Sequence, residues 1–238
     1  MNWNNAGENP LYGWLRRTVL TLFLASLGLR HPGSRHFVWF ELRRRLLYLP
    51  CNPWVISRHF LNARGEHSAQ GYGETPLVTL RTVARHLQLT ELDHLLELGM
   101  GTGRNCVWLA ATQGCKATGV EQVPLFVNLA NRLINKTKVG ERLTFLCEDI
   151  FSLDMSAWQK VYVDATAMSE STILRLAMLC AGLPNGARVA IVNADLNRIM
   201  PERFQAEAAF PALFVWGWSD VRIFRVGPPE PLGDQAGE

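Results

Sequence analysis

The sequence is short of what a metal or disulfide scaffold needs. Its five cysteines, at 51, 106, 115, 147 and 180, form no C-x-x-C pair and join no histidine at zinc spacing. That excludes zinc modules and a disulfide framework, and it reads as the reduced thiols of a cytosolic protein. His31, His36, His59, His67, His86 and His94 are scattered in the same way, so no metal is predicted. There is no internal repeat and no low-complexity tract, which excludes solenoids and propellers. No apolar run reaches the roughly 20 residues that a helix needs to cross a bilayer. The candidate run, Thr18 to Leu29, has only twelve. Arg16 and Arg17 before it imitate a signal peptide, but Gly28-Leu29-Arg30-His31-Pro32 offers no small-x-small cleavage site. An amphipathic or buried helix is expected there.

What is present is enough for a real core: 238 residues, 48% of them hydrophobic. The overall charge of +3 conceals an asymmetry. Residues 1–70 hold nine Arg and no Lys against Glu8, Glu41 and Glu66, a net +6, and the remainder carries −3. Such a basic piece predicts either an anionic partner or an Arg-rich solvated face. A second helical pattern, Phe37 to Leu49, sets Trp39, Phe40, Leu46, Leu47 and Tyr48 around Arg43-Arg44-Arg45 and is stopped by Pro50. Helices of this kind either touch a membrane surface, through residues 1–50, or pack on the catalytic domain. The location expected is cytoplasmic, with peripheral contact at a membrane as the alternative.

From about residue 76 short apolar runs alternate with helical patterns, the signature of a doubly wound α/β domain. A helix is expected over Pro76 to Leu89, with Thr75 as its cap. Strands are expected at His94–Leu98, Lys116–Val120, Arg142–Cys147, Val161–Asp164 and Ala187–Val192, with helices over Asn105–Gln113, Leu125–Asn135 and Ser171–Ala181. Ser169, Ser171 and Thr172 read as the capping start of the last helix. Ala212–Trp216 and Val221–Val226 flank Gly217-Trp218-Ser219-Asp220 and predict a terminal hairpin. The sum is a mostly parallel seven-strand sheet spanning residues 71–228, with a helical appendage over 1–70 and a flexible tail over 229–238.

The chemistry concentrates after the first strand, in Glu97-Leu98-Gly99-Met100-Gly101-Thr102-Gly103-Arg104. Glycines at alternate positions let the chain turn off the strand and let a ligand approach the backbone. The dinucleotide fingerprint fails, since it needs glycine at Arg104. The second strand runs into Glu121-Gln122, where a carboxylate suits two ribose hydroxyls. The third runs into Cys147-Glu148-Asp149-Ile150. This ordered set resembles the class I S-adenosylmethionine-dependent methyltransferases. The resemblance implies that cofactor, held by Glu97, Gly99, Gly101, Gly103, Glu121 and Gln122, with Asp149 and Ile150 at the adenine.

Upstream, Tyr72-Gly73-Glu74-Thr75 is similar to the cofactor loop of the non-SET lysine methyltransferases, the disruptor-of-telomeric-silencing family. The apolar N-terminal piece and Gly103-Arg104 also resemble relatives of the lysine methyltransferase acting on the ATP synthase c-subunit. The likeness covers residues 70–226 and implies that Tyr72 and Thr75 touch the cofactor. Asp164-Ala165 stands where the histone enzymes have paired asparagines, and no Asn/Asp-Pro-Pro-aromatic motif follows, which demotes nucleic-acid bases and glutamine as acceptors. The resemblance thus implies methylation of a protein amino group, a lysine, with Asp164 or Tyr72 orienting or deprotonating it. Methylation of nitrogen or oxygen on a small molecule, and a non-catalytic cofactor-binding regulator, are the alternatives. Trp216 and Trp218 are read as core or cross-strand residues rather than pocket walls.

Overall fold

Short runs of five or six mostly apolar residues, too short for helices and flanked by turn formers, become a buried sheet. In the computed structural model, which describes residues 35–65, 72–135 and 137–227, these runs are β1 (His94–Leu98), β2 (Lys116–Glu121), β3 (Leu143–Cys147), β4 (Lys160–Asp164) and β5 (Arg188–Val192), all mutually parallel. The long strands β6 (Phe204–Phe214) and β7 (Gly217–Val226) complete the order β3-β2-β1-β4-β5-β7-β6, with β7 antiparallel to β5. The expected seven-strand, Rossmann-like α/β architecture is therefore present. The order reverses between β1 and β4, which opens a crevice at the carboxyl ends of those strands.

The helices are α1 (Arg35–Leu47), α2 (Pro53–Ala63), α3 (Leu77–His86), α4 (Arg104–Gln113), α5 (Pro124–Ile134), α6 (Glu170–Ala181) and the single turn α7 (Leu196–Ile199). Phe37 and Phe40 of α1 are wholly buried and share one core with Leu80 and Val83 of α3 and Trp108 of α4. At helical spacing Phe37, Phe40, Arg44 and Tyr48 make one buried face. α1 is thus pinned across α4 and α5. The run expected as a helix over Thr18 to Leu29 lies outside the described residues, as does the tail from 228 onward. α2 was not expected, although its start carries the usual signals: the Asn52 side chain accepts from Trp54 N at 2.9 Å, and Pro53 opens the first turn.

Two local expectations are corrected. Thr75 caps nothing: Pro76 occupies the N-cap of α3, and the Thr75 hydroxyl instead lies 2.5 Å from the Tyr162 hydroxyl. Tyr162 sits in the middle of β4 with no exposure, so its phenol needs a buried partner, and that demand overrides local capping. The hairpin also turns earlier than its glycine suggests. Phe214 pairs with Gly217, so the chain reverses at Val215-Trp216, while Gly217 to Asp220 pair as strand. Side-chain packing decides this. The Trp216 ring stacks on Phe214 at 4.7 Å and donates to Ser219 Oγ at 3.1 Å. Pro211 is tolerated inside β6 because β6 is an edge strand. The start of α6 is as expected, with Ser169 Oγ accepting from Thr172 N at 3.2 Å.

Candidate functional site

The crevice begins with the loop off β1. Gly99, Gly101 and Gly103 have φ of +75°, +54° and +75°, conformations that side chains resist. A Cβ on Gly99 would meet nothing within 4 Å, so the loop leaves open space at the strand end. A Cβ on Gly101 would lie 2.9 Å from Tyr72 Cε2, so the Tyr72 ring rests on the loop backbone. Gly101→Ala should therefore both strain the turn and push Tyr72 away, at about 1–2 kcal/mol, read as a lower urea midpoint.

Two carboxylates hold this loop. Glu97, near the end of β1 and 2% exposed, accepts from Asn105 Nδ2 at 2.7 Å and from Cys106 Sγ at 2.9 Å, both at the start of α4. Burial pushes its carboxyl up to about 7, against those two hydrogen bonds. An acid whose folded pKa is raised binds its proton more tightly than the unfolded chain does, so stability falls as pH rises from about 4.5 to about 7. Glu97→Gln should flatten that slope, gaining roughly 1–3 kcal/mol over the parent above neutrality. Thermal melts at about pH 5 and about pH 8 would check it.

Glu121, at the end of β2, is strung between backbone donors: Gly101 N at 3.0 Å on Oε2 and Val123 N at 2.9 Å on Oε1. Burial raises its pKa while these bonds oppose the rise. Gln122 beside it is half-buried. At the end of β3, exposed Asp149 caps a 3-10 turn by accepting from Phe151 N at 3.1 Å, which sets half-buried Ile150 beside it.

The segment 72–75 closes the other side. Tyr72 donates to Glu74 Oε1 at 2.8 Å and lies 3.1 Å from Thr102 Oγ1, with its ring 5.6 Å from that of Phe126. Burial and the Glu74 charge raise its pKa well above the usual phenol, so at neutral pH it keeps its proton and cannot serve as a base. Gly73 lies under the Trp216 ring, 2.7 Å from the place of a Cβ.

Behind Tyr72 stands a network of four charges that sequence reasoning missed, its two guanidinium groups buried and its two carboxylates partly so. Arg44 of α1 donates to Glu41 at 2.9 and 3.0 Å, to Glu74 at 2.6 Å and to Thr102 Oγ1 at 3.3 Å. Arg104, at the start of α4, lies 3.6 Å from Glu41 and 3.7 Å from Glu74, and donates to Thr75 O at 2.9 Å. Burial alone would raise the Glu41 carboxyl, but Arg44, Arg104 and Arg45 outweigh it and hold it at about 2. Glu74 is lowered by the same two buried guanidinium groups against its own burial. The helical spacing of Glu41, Arg44 and Arg45 was the available signal.

Asp164 ends β4 on the crevice. Its Oδ1 accepts from Thr166 N at 3.1 Å and from Thr166 Oγ1 at 2.6 Å, while Oδ2 is shut from solvent and has no partner among the described residues. Burial raises its pKa, and hydrogen bonds from Thr166 and from the Thr75 hydroxyl oppose the rise. Thr166 is itself held by Asn193 Nδ2 at 3.0 Å, and Asn193 also donates to Ser219 Oγ at 3.0 Å. Asn193 has φ +56°, a left-handed conformation that asparagine tolerates. A polar chain therefore runs from Asp164 through Thr166, Asn193 and Ser219 to Trp216, which covers Gly73.

A sequence model of the family described as histone methylation protein DOT1 matches residues 55–169, a stretch that contains the 72–75 segment, the glycine loop, Glu121, Asp149 and Asp164. The chain is a class I S-adenosylmethionine-dependent methyltransferase. Solved structures share the methyltransferase's fold. An RNA methyltransferase from Salinibacter ruber, in complex with S-adenosyl-L-homocysteine, has 23% identity and a TM-score of 0.53 over 69% of this chain and 99% of its own. TrmN from Thermus thermophilus has 19% identity and a TM-score of 0.57 over 71% of this chain and 53% of its own. Geranyl diphosphate C-methyltransferase from Streptomyces coelicolor A3(2) has 11% identity and a TM-score of 0.53 over 64% of this chain and 77% of its own. At such identities the likeness is one of fold. No curated protein gave a significant match.

Of the residues expected at the methyltransferase's site, the glycine loop 99–103, Glu121 and Asp164 lie at the carboxyl ends of the adjacent strands β1, β2 and β4, and Tyr72 rests on that loop. Thr75 and Glu97 spend their polar atoms inside the protein, as braces of the walls. Among the described residues no three His, Cys, Asp or Glu side chains gather as a metal site.

Proposed function

We propose that this methyltransferase transfers a methyl group to an amino nitrogen of a protein, a lysine side chain, and that Asp164 receives the amine. The observation that carries this reading is the carboxyl of Asp164 at the end of β4, beside the glycine loop off the neighbouring β1, with Oδ1 held by Thr166 and Oδ2 left without a close donor. A buried oxygen of this kind is costly unless a cationic or N–H group completes it. The match to the histone methylation family points to the same acceptor class.

The residues present fit the cofactor. Open space at Gly99 leaves room against the loop backbone, and each Glu121 oxygen uses one lone pair on a backbone donor and keeps another for a hydroxyl. In this reading Glu121, with Gln122, takes the ribose, Asp149 and Ile150 border the adenine, and Tyr72 walls the methionine side. The cofactor supplies an electrophilic methyl on a sulfonium that leaves as a neutral thioether, so no residue need protonate a leaving group. Asp164 then has two tasks: to draw the acceptor ammonium by its charge and to take its proton through a water. Burial raises its pKa, which makes it a stronger proton acceptor than an exposed carboxylate. Trp216 and Tyr72 shape the approach.

The direct test supplies cofactor labelled on the methyl to the enzyme with heat-treated cell extract. Label should enter protein and be lost when lysines are chemically blocked beforehand. Label confined to RNA or to small molecules overturns the proposal. Glu121→Ala should weaken S-adenosylhomocysteine binding by about 1–3 kcal/mol through lost charge-assisted hydrogen bonds. Glu121→Gln should lose less, and unchanged affinity in calorimetry would refute the ribose assignment.

A further inference from the structure

α1 is apolar on both sides. Its inner face, Phe37, Phe40 and Tyr48, is buried, whereas Trp39, Leu42, Leu46 and Leu49 form a second stripe at spacings of three and four, exposed at 65, 49, 57 and 76%. Val38 and, on α2, Trp54 and Val55 extend it. Seven of the twelve large hydrophobic side chains exposed among the described residues thus lie between 38 and 55, a concentration that marks an interaction surface. The exposed charges of residues 36–65 are of one sign, Arg43, Arg45, Arg58 and Arg64, with Arg45 paired to Glu41. The one acid between 35 and 65, Glu41, is 12% exposed and turned inward onto guanidinium groups. The Arg58 guanidinium stands 4.8 Å over the Trp54 ring, so an amphipathic aromatic and a cation share one boundary.

We infer that this face docks on an anionic lipid surface, with Trp39, Leu42, Leu46 and Leu49 entering the headgroup boundary and the arginines meeting lipid phosphates. Charge selects the occupant. A second copy related by twofold symmetry would bring the same arginine rows together, a repulsive arrangement. Residues 1–34 hold the apolar run Thr18 to Leu29, which could meet the leucines, but with Arg16, Arg17 and Arg30 against Glu8 alone they offer nothing to answer the arginines. Nucleic acid answers the arginines but offers nothing apolar for three leucines. An anionic bilayer answers both. Among the described residues no helix is long and apolar enough to cross a membrane, so the mode is interfacial.

The face and the crevice share one helix. Arg44, on the inner side of α1, fixes Glu74 and Thr102 of the cofactor side, so a docked α1 holds the crevice about one helix diameter, ~10 Å, from the lipid. The acceptor presented there would be membrane-proximal. Docking does not depend on the identity of the acceptor.

Co-sedimentation of the full chain with vesicles tests this. Binding should be at least about tenfold stronger to phosphatidylcholine mixed with phosphatidylglycerol than to phosphatidylcholine alone, and should weaken with salt. Leu42→Gln with Leu46→Gln should reduce binding about tenfold or more while leaving S-adenosylhomocysteine affinity and the melting temperature unchanged. Arg43→Glu with Arg58→Glu should abolish the preference for anionic lipid. Weak, equal binding to both vesicles would overturn the inference. So would vesicle binding that survives the leucine substitutions, or an RNA oligonucleotide captured in their place. Methyl transfer into protein without vesicle binding would reject docking and leave the proposed activity standing.

Discussion

Arg44→Met should cost about 3–5 kcal/mol of stability, because it removes one partner from a buried ion network and leaves the others behind. Arg44 is 5% exposed and bonds both Glu41 and Glu74. Without it, Glu74 keeps only the Tyr72 hydroxyl and an Arg104 contact at 3.7 Å, too long for a hydrogen bond. Two carboxylates then share one buried guanidinium. Their depressed pKa values fix the sign of the pH dependence. The native protein draws stability from Glu41 at pH above the unfolded value of about 4.3 and loses it as pH falls toward the folded value of about 2. The variant lacks that contribution, so its deficit should be greatest at neutral pH and shrink below about pH 4.5. Urea unfolding of both proteins across that range measures it. Glu74→Gln introduced together with Arg44→Met should recover part of the loss, since it removes a stranded charge. A deficit under about 1 kcal/mol would mean that the network behaves as an exposed pair does. Cofactor affinity should fall too, because Tyr72 and Thr102 are held through the same side chain.

The sheet was legible because its signal is local. Five short apolar strands between helical patterns needed only periodicity and turn residues, and the strand ends then aligned Glu97, Glu121 and Asp164 along one edge. Capping at Ser169 was legible for the same reason. What failed depended on partners far along the chain. Thr75 looked like a cap until Tyr162, 87 residues away, claimed its hydroxyl. The hairpin turn was placed on Gly217 because glycine favours turns, yet Phe214 stacking and the Ser219 hydrogen bond fix Trp216 at the reversal. β6 escaped notice over Phe204 to Ala209, where alanine and charged residues on an edge strand lack β-branched character. Arg44 read as one of three solvated arginines. Its burial follows from the register of α1 against α4 and α5, which no local pattern encodes. The resemblance implies that Tyr72 touches the cofactor; what no local pattern encodes is that its ring rests on Gly101 and its hydroxyl donates to Glu74.

Asp164→Asn should lower methyl transfer into protein about 10²-fold or more, the scale of a lost proton acceptor, while S-adenosylhomocysteine binds as before. The asparagine preserves Oδ1 as an acceptor for Thr166 N and the Thr166 hydroxyl, so the loop after β4 keeps its shape. Only Oδ2 changes, from an acceptor with a proton affinity to an amide that repels an incoming ammonium. Because burial raises the Asp164 pKa, the native enzyme should lose activity as pH falls and this carboxyl fills with its proton. The bend that Asp164 adds to the acidic limb of the rate profile should vanish in the variant, whose residual rate follows only the fraction of free amine. A merely structural role predicts otherwise: a lower melting temperature, weaker cofactor binding and a pH profile unchanged in shape. Asn193→Ala separates the two further. It removes the donor to Thr166 and Ser219 without touching the acceptor oxygen, so it should raise KM through a loosened Trp216 wall more than it lowers kcat. A matched loss of both in Asn193→Ala and Asp164→Asn would show that the polar chain holds the fold rather than the amine.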